Sequence, residues 1–152
     1  MSDTYLTLIP TDPHWQPTRA AADRARAALS ALLPDADARR GLAATWHDTV
    51  EVVHCGANLK TIRCPHCGAD SDGWWGEAVQ ERYDEGFSTL RVTVPCCGTE
   101  TSLDELIYDW PMGFASFRIT ALYPNRGWLA EEELASVTAA VGHPLRQILA
   151  HV

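Results

Sequence analysis

Phe114-Ala-Ser-Phe-Arg-Ile-Thr-Ala-Leu122 decides the fold when it is read beside Tyr5-Leu-Thr-Leu-Ile-Pro10. In the first stretch Ala115, Phe117, Ile119 and Ala121 fall on one face, the period-two pattern of a half-buried strand. It runs into Tyr123-Pro124, then Trp128, then a helical pattern over 131–141. The second stretch runs into Trp15 and an Ala-rich helical pattern over 17–33. Both units read strand, Pro, Trp, helix, as would two βα halves of one α+β sandwich. A strand followed by an amphipathic helix is common enough that chance competes with a true internal repeat. The expectation is a single α+β domain over residues 1–152, with a mainly antiparallel sheet and helices on one face.

Working outward, Pro17 suits a first helical position. Ala21, Ala25, Ala28, Leu29 and Leu32 form the apolar stripe, and Pro34 ends the helix. Over 131–141, three glutamates sit at the positive end of the helix dipole. Leu134, Val137 and Val141 make its stripe, and Gly142 with Pro144 stops it. Residues 145–152 fit a strand or a short helix. Residues 35–42 read as a loop. Residues 49–55 and 59–63 read as a hairpin around Gly56-Ala57-Asn58. A helix over 72–83, capped by Asp72, would align Trp75, Val79 and Arg82 or Tyr83 before Gly86. Residues 88–94 alternate through Leu90, Val92 and Val94 as another strand, and 102–106 suit a short helical turn. Residues 54–110 then form an insertion that carries most of the cysteines.

Composition bounds the function. The chain has 152 residues, 46% of them hydrophobic, enough for a real core. Its net charge of −8 and its lack of a basic stripe argue against nucleic acid, whose binding runs on cationic neutralisation of phosphates. No apolar run approaches the length of a membrane span. The polar start Met1-Ser2-Asp3-Thr4 is unlike a secretory signal, which leads to the expectation of a cytoplasmic protein. Ala and Arg richness, with Lys60 the only lysine, points to a GC-rich bacterial genome. In a reducing compartment, five cysteines, four of them clustered, point to metal or redox chemistry rather than disulfides.

The chemistry concentrates in two short stretches. Cys64-Pro65-His66-Cys67-Gly68 places two thiolates on one tight turn, which suits a single zinc ion. Val94-Pro95-Cys96-Cys97-Gly98 departs from that pattern. Aligned on Pro and Gly, Val94 stands at the first ligand position and Cys97 at the second. Cys64, Cys67 and Cys97 fit; the fourth ligand is assigned to Cys96, provided that the chain turns sharply there. Cys55, His54 and His66 are its rivals. Cys55 also reads as a small buried hydrophobe, and the His66 side chain as facing solvent. Four thiolates close the shell of a structural zinc, whereas a catalytic ion keeps an open position.

These two stretches resemble a zinc ribbon, in which a Cys-Pro-x-Cys-Gly knuckle is answered by a second on a neighbouring strand. The resemblance covers about a third of the chain. Together with Ser102-Leu-Asp-Glu-Leu106 and Trp110-Pro-Met-Gly-Phe114, the second stretch is also similar to small uncharacterised bacterial proteins with such a site, and that similarity implies no activity. Cys-Pro-His-Cys is shared with thioredoxin-fold disulfide oxidases, where the first cysteine opens a helix and its thiol pKa falls. Here Gly68-Ala69-Asp70-Ser71-Asp72-Gly73 breaks a helix instead.

Other candidates have ordinary readings. Trp74 and Trp75 are adjacent, so one could mark a contact surface or pack on the zinc module. Trp110 and Trp128 read as loop anchors. His14, His47, His143 and His151 are scattered, with no recognisable Ser-His-Asp order and no Gly-rich phosphate loop. Asp104, Glu105 and Asp109 could receive a basic partner or form a solvated face. The resulting expectation is a structural-zinc protein that acts as a non-enzymatic interaction module, of adaptor or toxin-immunity type, for a basic protein partner. The alternatives are an enzyme with its site between sheet and insertion, or a redox or metal sensor using Cys64-Pro65-His66-Cys67.

Overall fold

The computed structural model describes residues 3–152. The sheet is built around β7 (Gly113–Leu122), which pairs antiparallel with β1 (Thr4–Pro10) on one side and β2 (Leu42–Val53) on the other. β8 (Leu145–His151) adds antiparallel to β1, giving the order β2-β7-β1-β8. With α1 (Arg19–Ser30) after β1 and α4 (Glu131–Val141) after β7, the sheet has the βαββαβ order of a ferredoxin-like arrangement. The α+β reading with a mainly antiparallel sheet therefore holds.

The helical face carries Leu6 and Leu8 of β1, Phe117, Ile119 and Ala121 of β7, Ala22, Ala25 and Leu29 of α1, and Val137 and Val141 of α4. Burying each large side chain there contributes about 1.5–3 kcal/mol. The two strand–helix units become neighbours: β1 lies beside β7, and α1 lies against α4. Both termini of α1 depart from expectation. Thr18 is its cap, accepting from the Ala21 N–H at 3.1 Å, so Pro17 precedes the helix. Residues expected as a loop hold α2 (Ala36–Arg40), because the Asp35 carboxylate accepts from the Ala38 N–H at 2.8 Å.

β2 differs most. It starts at Leu42, earlier than expected, and contains a bulge: Trp46 pairs with Phe117, but the next pairing is Glu51 with Ala115. Beyond Val53 the chain does not turn back as a hairpin. It crosses to the far edge of the sheet, where Gly56 bridges His151 in parallel and the Ala57 N–H donates to the His151 carbonyl at 2.9 Å. A Cβ on Gly56 would lie 2.2 Å from that carbonyl oxygen, and its φ is +65°. The sheet is thus curled so that the continuation of β2 touches the edge of β8.

Between β2 and β7 the chain holds two small antiparallel pairs. β3 (Ile62–Arg63) pairs with β6 (Ile107–Tyr108), and β4 (Arg91–Thr93) pairs with β5 (Glu100–Ser102). A 3-10 turn spans Leu103–Glu105. α3 (Asp72–Asp84) lies between the pairs. A second core joins this segment to the sheet through Val53, Cys55, Val94, Phe87, Leu103, Phe114 and Ile148. Trp74 and Trp75 are half-buried against it, which is the packing reading of the pair. Among the described residues, no helix is long and apolar enough to cross a membrane.

Candidate metal centre

The two cysteine stretches fold as near-copies. In the first, the Cys64 N–H donates to the Ala69 carbonyl at 2.9 Å, and the Gly68 N–H donates to the Cys64 carbonyl at 3.0 Å. In the second, the Val94 N–H donates to the Thr99 carbonyl at 2.9 Å, and the Gly98 N–H donates to the Val94 carbonyl at 2.8 Å. Flanking residues pair in the same way, Arg63 with Asp70 and Thr93 with Glu100. Gly68 and Gly98 have φ of +76° and +71°, while a Cβ on either would meet nothing within 4 Å. Glycine is required there by backbone conformation and not by space.

This arrangement brings Cys64, Cys67, Cys96 and Cys97 together, with all four Sγ atoms within 4.8 Å of one another. Cys64 and Cys97 are 3.9 Å apart, and Cys67 and Cys96 are 3.3 Å apart. Sulfurs at about 2.3 Å from a tetrahedral ion stand about 3.8 Å from each other, so the donor set and its spacing fit one soft divalent cation. Cys64 is buried and the other three are exposed, which puts the cluster at the surface with its inner wall against the core. The four could hold a metal ion.

Electrostatics point the same way. Burial pushes the Cys64 thiol up. The Cys67 and His66 backbone N–H groups and the Cys96 and Cys67 thiols more than offset this and bring it down to about 6. Cys96 is pushed up to about 12, first by the hydrogen bond it shares with Cys67, then by burial and by Cys64. Negative charge on one sulfur therefore opposes charge on the next, and four thiolates need a cation among them. The His66 N–H lies 3.4 Å from Cys64 Sγ, and the Thr99 hydroxyl 3.3 Å from Cys97 Sγ. The Gly68 amide goes to the Cys64 carbonyl and not to a sulfur.

The rivals for the fourth position lie elsewhere. Cys55 is fully buried among the second core's side chains, and burial pushes its thiol up. His54 and His66 are exposed and outside the cluster. Asp109 accepts from the Lys60 and Thr61 N–H groups at 2.9 and 3.0 Å, and those bonds hold its carboxyl below the usual range. Glu105 and Asp104 accept from the Thr101 and Ser102 hydroxyls. These acids tie the module internally. A recess of about 310 Å³ beside Gly86–Ser88 is lined by His14, Asp48 and Ser116. The Ser116 hydroxyl is buried without a partner, so no serine–histidine pair forms there.

Compared with protein-family models, curated proteins and solved structures, the chain matches none.

Proposed function

We propose that residues 54–110 are a zinc-ribbon-like insertion in a single α+β domain, held by one structural Zn²⁺ on Cys64, Cys67, Cys96 and Cys97. The observation that carries this reading is the four-sulfur cluster on two matching turns. Four thiolates leave a tetrahedral ion no open position, so the ion would supply folding energy and no substrate chemistry. A thiol-redox role is less well supported, because Cys64 is buried and no helix starts at it.

The protein then acts as a non-enzymatic interaction module, of adaptor or toxin-immunity type. The zinc site would organise the surface of α3, which has no fully buried residue. Beside the second knuckle, Glu77, Glu81 and Arg82 of α3 line a groove with Trp74, Val92 and Pro95, and Arg82 is already paired with Glu85 at 3.0 Å and Glu81 at 3.7 Å. Tyr83 is 60% exposed nearby. Acidic groups around a half-buried tryptophan suit a basic protein partner. The test is co-purification from the native host with zinc-loaded protein and with Glu77→Lys/Glu81→Lys. A stoichiometric partner lost in the double variant supports the reading. Recovery of uncomplexed protein alone, or a partner retained by the double variant, contradicts it.

A further inference from the structure

A second recess lies on the concave face of the sheet, away from the cysteines. Its volume is about 400 Å³, within the range of small-molecule sites. The sheet supplies Thr7, Thr45, Thr120 and Arg118, and the departing end of β2 supplies a wall of Val52 to His54. Ala150 and Val152 close the far side. The bulge in β2 and the crossing to His151 create this space, because a regular β2 would stay flat against β7.

The charge of the lining is selective. The chain has 20 Asp and Glu residues against 12 Lys and Arg, yet among the described residues no carboxylate side chain lines this recess. Its side-chain polar groups are the Arg118 guanidinium, three threonine hydroxyls, the Tyr5 hydroxyl and the His54 imidazole. Arg118 Nε donates to His47 Nε2 at 3.2 Å, and His47 Nδ1 lies 4.0 Å from the Glu51 carboxylate. The bulge places both His47 and Glu51. An acceptor Nε2 puts the imidazole proton on Nδ1, facing Glu51. The hydrogen bond from Nε to His47 thus fixes one edge of the guanidinium. Among the described residues, neither Nη group has a hydrogen-bond partner.

We infer that this recess binds a small monocarboxylic acid. The carboxylate is held by the free fork of Arg118 and the threonine hydroxyls, and a short apolar body lies against Val52, Ala150 and Val152. A planar fork matches a carboxylate with two parallel bonds, which a neutral amide cannot reproduce. This site does not depend on the zinc reading.

The test is an amide-shift NMR titration of the full chain with hexanoate, hexanamide and hexylamine. Hexanoate should give saturable shifts at Thr7, Thr45, Arg118 and Thr120. Hexanamide and hexylamine should bind at least about ten-fold more weakly, as expected on losing a charge-assisted pair. Arg118→Met should weaken hexanoate by a similar factor, and Lys60→Met, which removes a cation elsewhere, should not. Equal binding of acid and amide by the parent protein would overturn the inference without reference to any variant. So would the absence of saturable shifts, or unchanged affinity in Arg118→Met.

Discussion

Val94 occupies in the second knuckle the place that Cys64 occupies in the first. Each donates its N–H to the carbonyl five residues on, each accepts from the glycine four residues on, and both are buried. The second knuckle therefore has valine at its regular first-ligand position, and Cys96, from the middle of the turn, brings the fourth sulfur to the cluster.

This equivalence predicts a ligand exchange. Cys96→Ser should lower bound zinc well below one per chain, and Val94→Cys added to it should restore the ion. Valine and cysteine are close in size, so the core should lose less than about 1.5 kcal/mol. Zinc per chain and the thermal midpoint check this; a double variant as poor in zinc as Cys96→Ser would contradict it. Cys55→Ser should keep the ion.

Tyr108 pins α3 to the module. Its hydroxyl accepts from Trp75 Nε1 at 3.0 Å and donates to the Leu103 carbonyl at 2.6 Å. Tyr108→Phe leaves both groups without that partner and should cost about 1–3 kcal/mol in urea unfolding. Amide exchange should speed up first in α3, which has no buried side chain of its own. Uniform acceleration across the chain would contradict the local role.

Glu133 gives the acid limb of stability. The Arg126 guanidinium, bonded at 2.6 and 2.9 Å, and then the Ala130 N–H hold its carboxyl down to about 2, from an ordinary 4.5. A carboxyl depressed in the folded state stabilises fully above its unfolded value and loses that contribution as pH falls through the folded one. The midpoint difference between parent and Glu133→Gln should be constant above about pH 5 and shrink toward zero near pH 2. A difference that grows on acidification would contradict the assignment.

Gly56 tests the crossing of β2. With φ at +65° and the His151 carbonyl in the way, Gly56→Ala should cost about 1–3 kcal/mol and speed exchange of the Ala57 amide. An unchanged thermal midpoint would contradict it.

Much of this architecture was legible in residues. The alternation of Ala115, Phe117, Ile119 and Ala121 marked β7, and the echo at Tyr5–Pro10 marked its neighbour β1. Pro and Gly register the two knuckles and put Val94 opposite Cys64 from residue order alone. What escaped was set by long-range geometry. The Leu42, Ala44 and Trp46 alternation is real, but it is short and follows a polar stretch. The Gly56 turn looked like a hairpin because nothing local says that its amides serve β8, or that Ile62 pairs with Tyr108. The Arg118 recess was invisible for the same reason: it is made by a bulge, and no residue spacing announces one. Glu131 to Glu133 read as a dipole cluster, which is sound for the first two, while Glu133 also clamps Arg126 from the loop before α4.

The central claim is one structural zinc on four sulfurs, and X-ray absorption on freshly reduced protein, with metal content measured on the same sample, tests it most directly. The expected result is one zinc per chain with four sulfur neighbours at about 2.3 Å and no lighter ligand. Protein without zinc, or a shell containing nitrogen or oxygen, would contradict it.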